Sequence, residues 1–388
     1  MTQKPKKVVL FDVKSKQERL LSLGIAKYSQ SVADHRWIFY TRNAAYFSSP
    51  DDKKALEQVL NWNVDSIFAI DSHINNNVLA TGIPIIAIGI EECCPQVSNI
   101  MRDDQKIGQL GAEHLLDRGF TNLAYSGLDD MPWSGRREES FKETVRKAGF
   151  QTYTYQYPAV MIRQSWDQER PIMIEWLQSL PKPVGIMACN DQRGQYILDA
   201  CMFLEIDVPN EVAVIGVDDD ELCELTNPPL SSIAVDDITA GFEAAEVLDR
   251  MMETGRQEDK KIISRTNGVI ARRSTDVLAV NDPVVTNAMK FIRSNPKRLI
   301  QVSEVLQEVC CSRTTLDEKF TSLFGRTVYK EIKRVRVTEI INMLINTNLS
   351  MSQIAYKMGF ADAYHLSRYV KKVLGMSPRD YCKMHKRR

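Results

Sequence analysis

Seven short apolar runs, separated by longer stretches with helical periodicity, constrain this chain more than any other feature. They are Val8 to Phe11, Trp37 to Tyr40, Ser66 to Ile70, Pro84 to Gly89, Leu123 to Ser126, Gly185 to Ala188 and Val212 to Val217. Runs this short and this apolar leave no polar face for water, so they fit strands buried on both sides, covered by the amphipathic helices between them. Gln17 to Gln30, with Leu20, Leu21, Leu23, Ile25 and Tyr28, reads as one such helix, and Ala55 to Leu60 as part of another. Strand and helix alternating in this way predict an α/β module of parallel sheets, in two lobes, over residues 1–275.

The pattern then changes. Between Ser274 and Pro283 the chain turns polar and ends in Asn-Asp-Pro, which suits a linker at 276–284. From 285 to 388 the periodicity is helical throughout. Val285, Ala288, Met289 and Ile292 share one face, and Val302, Val305, Leu306 and Val309 another. Ser312 is a good N-cap for a helix that turns Leu316 and Phe320 inward. Further on, Ser350 precedes Ile354, Ala355 and Met358, Gly359-Phe360 makes a turn, and Ala361 to Leu374 carries Leu366 and Val370. A small residue in the first helix lets the second cross it, and glycine admits the tight turn, so both stretches read as helix-turn-helix units. A long helix over Val328 to Asn346 joins them in an all-α array of seven helices.

Charge divides at the same place. The chain of 388 residues has no net charge, yet Asn281 to Arg388 carries 20 Lys plus Arg against 9 Asp plus Glu. The remaining 30 basic and 41 acidic residues leave the first 280 at −11 and the last 108 at +11. A basic module gains free energy by releasing counterions from phosphates, whereas an acidic one is repelled by DNA and suits a neutral ligand.

In sheets of this kind ligands sit beyond the carboxyl ends of the strands. That rule selects Asp71, Asn190, Asp191, Asp218, Asp219 and Asp220, with Arg19, Arg136 and Arg137 as nearby cations and Trp133 as an apolar ring face. Carboxylates, amides and guanidinium groups suit sugar hydroxyls. A polar residue after a strand also caps the next helix, and for Asp71 and Asp191 both roles stand open.

The motifs Asp129 to Phe141, Met187 to Asp191, Val208 to Asp219, Pro228 to Ile233 and Arg272 to Thr275 follow in order. Together they resemble the ligand-binding core of the LacI/GalR repressors, which implies the periplasmic sugar-binding-protein fold and effector contacts at Arg137, Asn190 and Asp218. With the first strand at about Val8, the expected N-terminal DNA-binding headpiece has no room, so the DNA reader is expected elsewhere.

The stretch Phe360 to Tyr381, with the helix-turn-helix pair spanning Val285 to Tyr381, resembles the AraC/XylS-type DNA-binding domain. The resemblance implies recognition helices at Ser312 to Leu323 and Asp362 to Leu374, whose first turns face bases in the major groove. It points to Thr314, Asp317 and Glu318 in the first and to Ala363, Tyr364, His365 and Arg368 in the second. Arg368 suits guanine and the acidic pair cytosine, while Arg313, Lys319, Lys371 and Lys372 suit phosphates. A sensor of the first type before a reader of the second implies a cytoplasmic, sugar-responsive activator. Its implied partners are a pentose such as D-xylose or another sugar, double-stranded operator half-sites, a second copy of the chain in a homodimer and RNA polymerase; Arg19 and Asp71 are further expected sugar contacts.

Other classes find little support. The opening residues lack a signal peptide's apolar region, and no apolar stretch approaches the roughly 18 residues of a membrane span. The eight cysteines include no pair with zinc-site spacing, no metal or cofactor is expected, and no nucleophile elbow or phosphate loop accompanies Asp218 to Asp220. An enzyme or a purely architectural DNA-binding protein remains the alternative, the second opposed by the acidic N-terminal module.

Overall fold

The computed structural model describes residues 4–11, 15–31, 37–42, 62–70, 74, 76–89, 96–129, 131–155, 166–277, 279, 282–347 and 349–379. They divide into two compact units, one of residues 1–114 and 122–276, the other of 115–121 and 277–388.

Among the described residues the first unit holds two six-stranded sheets. In one, β1 (Lys6–Phe11), β2 (Trp37–Arg42), β3 (Ser66–Ile70), β4 (Ile85–Ile88), β5 (Ser98–Arg102) and β11 (Lys261–Ser264) lie in the order β11-β5-β4-β3-β1-β2, all parallel. In the other, β6 (Asn122–Ser126), β7 (Thr152–Tyr155), β8 (Val184–Ala188), β9 (Val212–Val217), β10 (Ser231–Val235) and β12 (Thr266–Ile270) lie in the order β12-β10-β9-β8-β6-β7. Only β12 runs antiparallel, against β10. All seven apolar runs are strands, and β4, β8 and β9 are buried along their whole length. The helix expected through Ala55 to Leu60 lies outside the described residues.

Helix α1 (Lys16–Ser31), the short α2 (Asn76–Leu79), α3 (Asp104–Leu116), α4 (Pro132–Lys147), α5 (Trp166–Ser179), α6 (Asp191–Phe203), the single turn α7 (Leu222–Leu225) and α8 (Asp237–Thr254) cover the sheets. Leu21 and Ile25 of α1 and Ala240, Ala244 and Leu248 of α8 meet Val8, Leu10, Phe68, Ile86 and Ile100 in one core. Burying a side chain such as Leu21 contributes about 1.5–3 kcal/mol. The two helices approach so closely that a Cβ on Gly24 would stand 2.0 Å from the Ile238 carbonyl oxygen and one on Gly241 2.2 Å from that of Leu21, so both positions require glycine.

The chain passes between the sheets three times, after β5, after β10 and after β11. The passages are bonded to one another: the Asp103 amide donates to the Ser264 carbonyl at 3.2 Å and the Asp236 amide to that of Arg265 at 2.8 Å. A hinge of this kind joins two lobes that each keep their own core.

The second unit has six helices among its described residues where seven were expected: α9 (Pro283–Ser294), α10 (Val302–Val309), α11 (Arg313–Phe324), α12 (Val328–Asn346), α13 (Met351–Lys357) and α14 (Ala363–Leu374). Their apolar residues form two cores, Val285, Met289, Leu316, Phe320 and Val328 in one, Ile340, Leu344, Ile354, Leu366 and Val370 in the other. The long α12 contributes to both. Within it Arg336, 2% exposed, donates from Nη1 to the Lys297 carbonyl at 3.1 Å and from Nη2 to the Met358 carbonyl, and lies 4.8 Å over the Phe360 ring. Its guanidinium thereby ties the first bundle to the turn of the second. Among the described residues no helix is long and apolar enough to cross a membrane.

Candidate effector cleft and nucleic-acid interface

In the first unit the polar residues gather where the strand-end rule places them. Asn190 follows β8 and is the N-cap of α6, its Oδ1 accepting the Arg193 amide at 2.8 Å. Capping leaves its amide nitrogen outside that bond. Asp218 and Asp219 follow β9 with φ of 113° and 53°, in a region non-glycine residues rarely adopt. Strained backbone of this kind costs about 1–3 kcal/mol and clusters at ligand sites.

Each carboxylate has its own partner. Asp218 Oδ1 accepts from Arg102 Nη1 at 2.6 Å, and Asp219 Oδ1 from Arg272 Nη2 at 2.7 Å. Arg137, 2% exposed, donates from Nε to Asp104 Oδ1 at 2.8 Å and from Nη1 to the Cys189 carbonyl at 2.6 Å, with its guanidinium 4.7 Å from the centre of the half-buried Trp133 ring. Arg136 bonds the other oxygen of Asp104 at 3.1 Å. Arg137 is therefore held from two sides by Asp104 and the backbone after β8, which pre-organises it.

Asp191 sits differently from its expected role on the ligand. It is 1% exposed, and its two oxygens accept from the Ser232 hydroxyl at 2.6 Å and the Asp220 amide at 2.7 Å. It fastens the loop after β9 to β10. Burial, reinforced by the charge of Asp218, pushes its carboxyl up to about 7. Arg19, half exposed, lies 3.7 Å from Glu221. Asp71 lies outside the described residues.

Three arginines of this region were not singled out from the sequence. Arg193 is buried against Glu169, donates to Ser126 Oγ at 3.1 Å and stacks 4.8 Å over Tyr155. Arg272 closes on Asp219 and, at 2.6 Å, on Glu224. Arg102 ends β5, a strand the apolar pattern does not reveal; recognising it would have brought Arg102 under the strand-end rule.

In the second unit the two helices expected to read DNA are capped by Ser312 and Asp362. The Ser312 hydroxyl accepts the Thr315 amide at 3.2 Å, and Asp362 Oδ1 accepts the His365 amide at 2.8 Å. Ala355 is 1% exposed, Gly359 has φ of 68°, and Leu366 and Val370 are buried, so the second helix-turn-helix has the packing its sequence predicts. On the opposite face of α14, Tyr364, His365, Arg368, Lys371 and Lys372 are exposed and Ala363 is half-buried. The Tyr364 and His365 rings meet edge to face at 5.8 Å, and His365 Nδ1 lies 2.9 Å from Asp362.

The first recognition helix is engaged more internally. Arg313, Thr314 and Glu318 are exposed and line a shallow depression with Asp317, Thr321 and Ser322. Asp317 turns away toward α12, where its Oδ1 accepts the Val328 amide at 3.0 Å. Lys319 is bonded to Asp282, the N-cap of α9, and holds that carboxyl below its ordinary range. Two of the five side chains expected on DNA here thus serve the fold of the bundle.

Comparison with known proteins agrees with both halves. Residues 112–275 match the periplasmic binding protein-like domain and residues 305–384 the helix-turn-helix domain. The xylose operon regulatory protein of Escherichia coli (strain K12) is 28% identical over 98% of this chain and 97% of its own length. That of Haemophilus influenzae is 27% identical over 98% and 99%. A solved structure of a xylose-binding transcription activator aligns over the whole of both chains with a TM-score of 0.61 and 26% identity. The chain thus joins a periplasmic-binding-protein-like domain to a helix-turn-helix domain and is similar from end to end to the xylose operon regulatory proteins.

Proposed function

We propose that this protein is a sugar-responsive transcriptional activator whose effector is D-xylose. The observation that carries the reading is end-to-end similarity to xylose operon regulatory proteins, which spans sensor and reader together. In this reading Arg137, Asn190 and Asp218 bond the sugar hydroxyls and Trp133 offers a ring face to its C–H surface. Bound sugar favours one angle between the lobes, and only its differential affinity for the two angles supplies the free energy that reaches the reader.

On DNA, Arg368 takes the role of bidentate guanine contact, Tyr364 and His365 read neighbouring bases, and Arg313, Lys371 and Lys372 bond phosphates. The protein acts in the cytoplasm as a homodimer on tandem half-sites and presents itself to RNA polymerase there; it is not an enzyme. Calorimetric titration of the full chain with a panel of pentoses and hexoses tests the sensor. Heat with D-xylose at lower concentration than any other sugar is expected, and no heat from the whole panel rejects the reading.

A further inference from the structure

Arg102 stands at the first of the three passages between the lobes. Its side chain is 10% exposed and every guanidinium nitrogen is engaged: Nη1 with Asp218 at 2.6 Å, Nη2 with Asp237 Oδ2 at 2.7 Å and Nε with Asp237 Oδ1 at 3.5 Å. Asp237 opens α8 directly after the second passage and is 2% exposed at its side chain. The Asp218 side chain stays 24% exposed and only its Oδ1 is in the pair. One cation therefore touches the strained loop of the cleft and both of the first two passages.

The ion balance around it is equally specific. Asp104, Asp218, Asp219 and Asp237 are met by Arg136, Arg137, Arg102 and Arg272, and the fifth carboxyl, Asp191, is met by an amide and a hydroxyl. Among the described residues every guanidinium of this cluster already has a carboxylate, a balance that suits neutral hydroxyls better than a further anion.

We propose that Arg102 is a positioning residue that presents Asp218 to a neutral polyol and, through Asp237, links occupancy of the cleft to the hinge. The proposal rests on the sugar-sensor reading above. Asp218 Oδ2 accepts a sugar hydroxyl while Oδ1 stays on Arg102, so bound sugar fixes Arg102 against Asp237 and holds the lobes at one angle. Sugar acids and sugar phosphates are rejected because their charge finds no unmatched guanidinium in the cluster.

The test uses the full chain, with D-xylose and D-xylonate titrated by calorimetry and hydrogen exchange followed in peptides covering residues 103, 236 and 265. In the unsubstituted protein D-xylose binds, D-xylonate binds at least tenfold more weakly, and sugar slows exchange at the passages. Arg102→Gln lowers D-xylose affinity at least tenfold and abolishes the slowing, and Arg102→Lys restores part of both. Asp237→Asn, which keeps the pair between Arg102 and Asp218, loses the slowing at D-xylose concentrations where calorimetry shows the sugar bound, and it serves if Arg102→Gln fails to fold. Unchanged slowing in Arg102→Gln or Asp237→Asn overturns the hinge link, and equal affinity for D-xylonate overturns the neutral-ligand assignment. If the unsubstituted protein binds no sugar at all, the sensor reading falls and this proposal falls with it.

Discussion

Asp317 separates a base contact from a structural one, and Asp317→Ala decides which it is. Its carboxylate accepts the amide of Val328, the first residue of the 19-residue helix α12, while Thr327 caps Lys330 two residues on. Losing a cap of this type costs about 1 kcal/mol. Removing a negative charge from a helix N-terminus adds about 0.5 kcal/mol. A helical unit of this size shifts by roughly 4–8 °C per kcal/mol, so a fall of about 6–12 °C is expected in its transition. Scanning calorimetry of the full chain measures this, the transition of the helical unit being identified by its rise when DNA is added. Asp317→Asn keeps an acceptor and should lose about half as much. Well below the transition, DNA affinity should change less than about threefold, because removing an acidic group leaves the phosphate contacts in place. An unchanged transition together with a tenfold loss of affinity for one half-site base pair would refute the structural role and return Asp317 to the major groove.

Three further outcomes follow from the burial of Asp191 and the backbone of Cys310 and Gly359. Asp191 is protonated in the folded sensor up to about pH 7, whereas the unfolded chain releases that proton near pH 4. Its contribution is therefore full below pH 4 and falls by up to about 4 kcal/mol as pH rises to 7; Asp191→Asn should flatten the urea midpoint between pH 4 and 7, and an unaltered slope contradicts the assignment. Cys310 ends α10 with φ of 49°, the role Gly359 fills in the second helix-turn-helix with φ of 68°. Cys310→Gly should stabilise the helical unit by about 0.5 kcal/mol and Gly359→Ala destabilise it by about 1–2 kcal/mol, read in the same calorimetric transition.

How much of this was legible depends on whether a residue's role is local. Strands such as Val212 to Val217 are apolar throughout because both faces are covered, and the pattern exposes them. By contrast Thr152 to Tyr155 and Lys261 to Ser264 lie at sheet edges and keep Tyr153, Lys261 and Ile263 exposed, and Ser98 to Arg102 has polar ends, so no apolar run marks them. The cap Ser312 was readable because a cap acts within three residues, and Ser350 and Asp362 cap the later helices in the same way. The capping role after β8 belongs to Asn190 and not to Asp191, a one-residue difference that propensity does not resolve. Arg102 and Arg336 act across 116 and 22 residues of sequence on Asp218 and Met358, and nothing near them in the chain reports those partners. For the same reason nothing near Lys319 in the chain reports its partner Asp282, 37 residues away.

In the proposed function the basic C-terminal pair of helix-turn-helix units is the output of the N-terminal sugar cleft. Operator-fragment titration of the full chain, at fixed salt and with and without saturating D-xylose, tests it most directly, because phosphate contacts alone bind DNA but carry no response to a neutral sugar. The prediction is a gain of at least fivefold in specific affinity with sugar, about 1 kcal/mol of coupling, lost in Arg102→Gln along with the sugar response and lost in Arg368→Ala along with specific binding. Equal affinity with and without D-xylose, in a protein shown by calorimetry to bind that sugar, contradicts it.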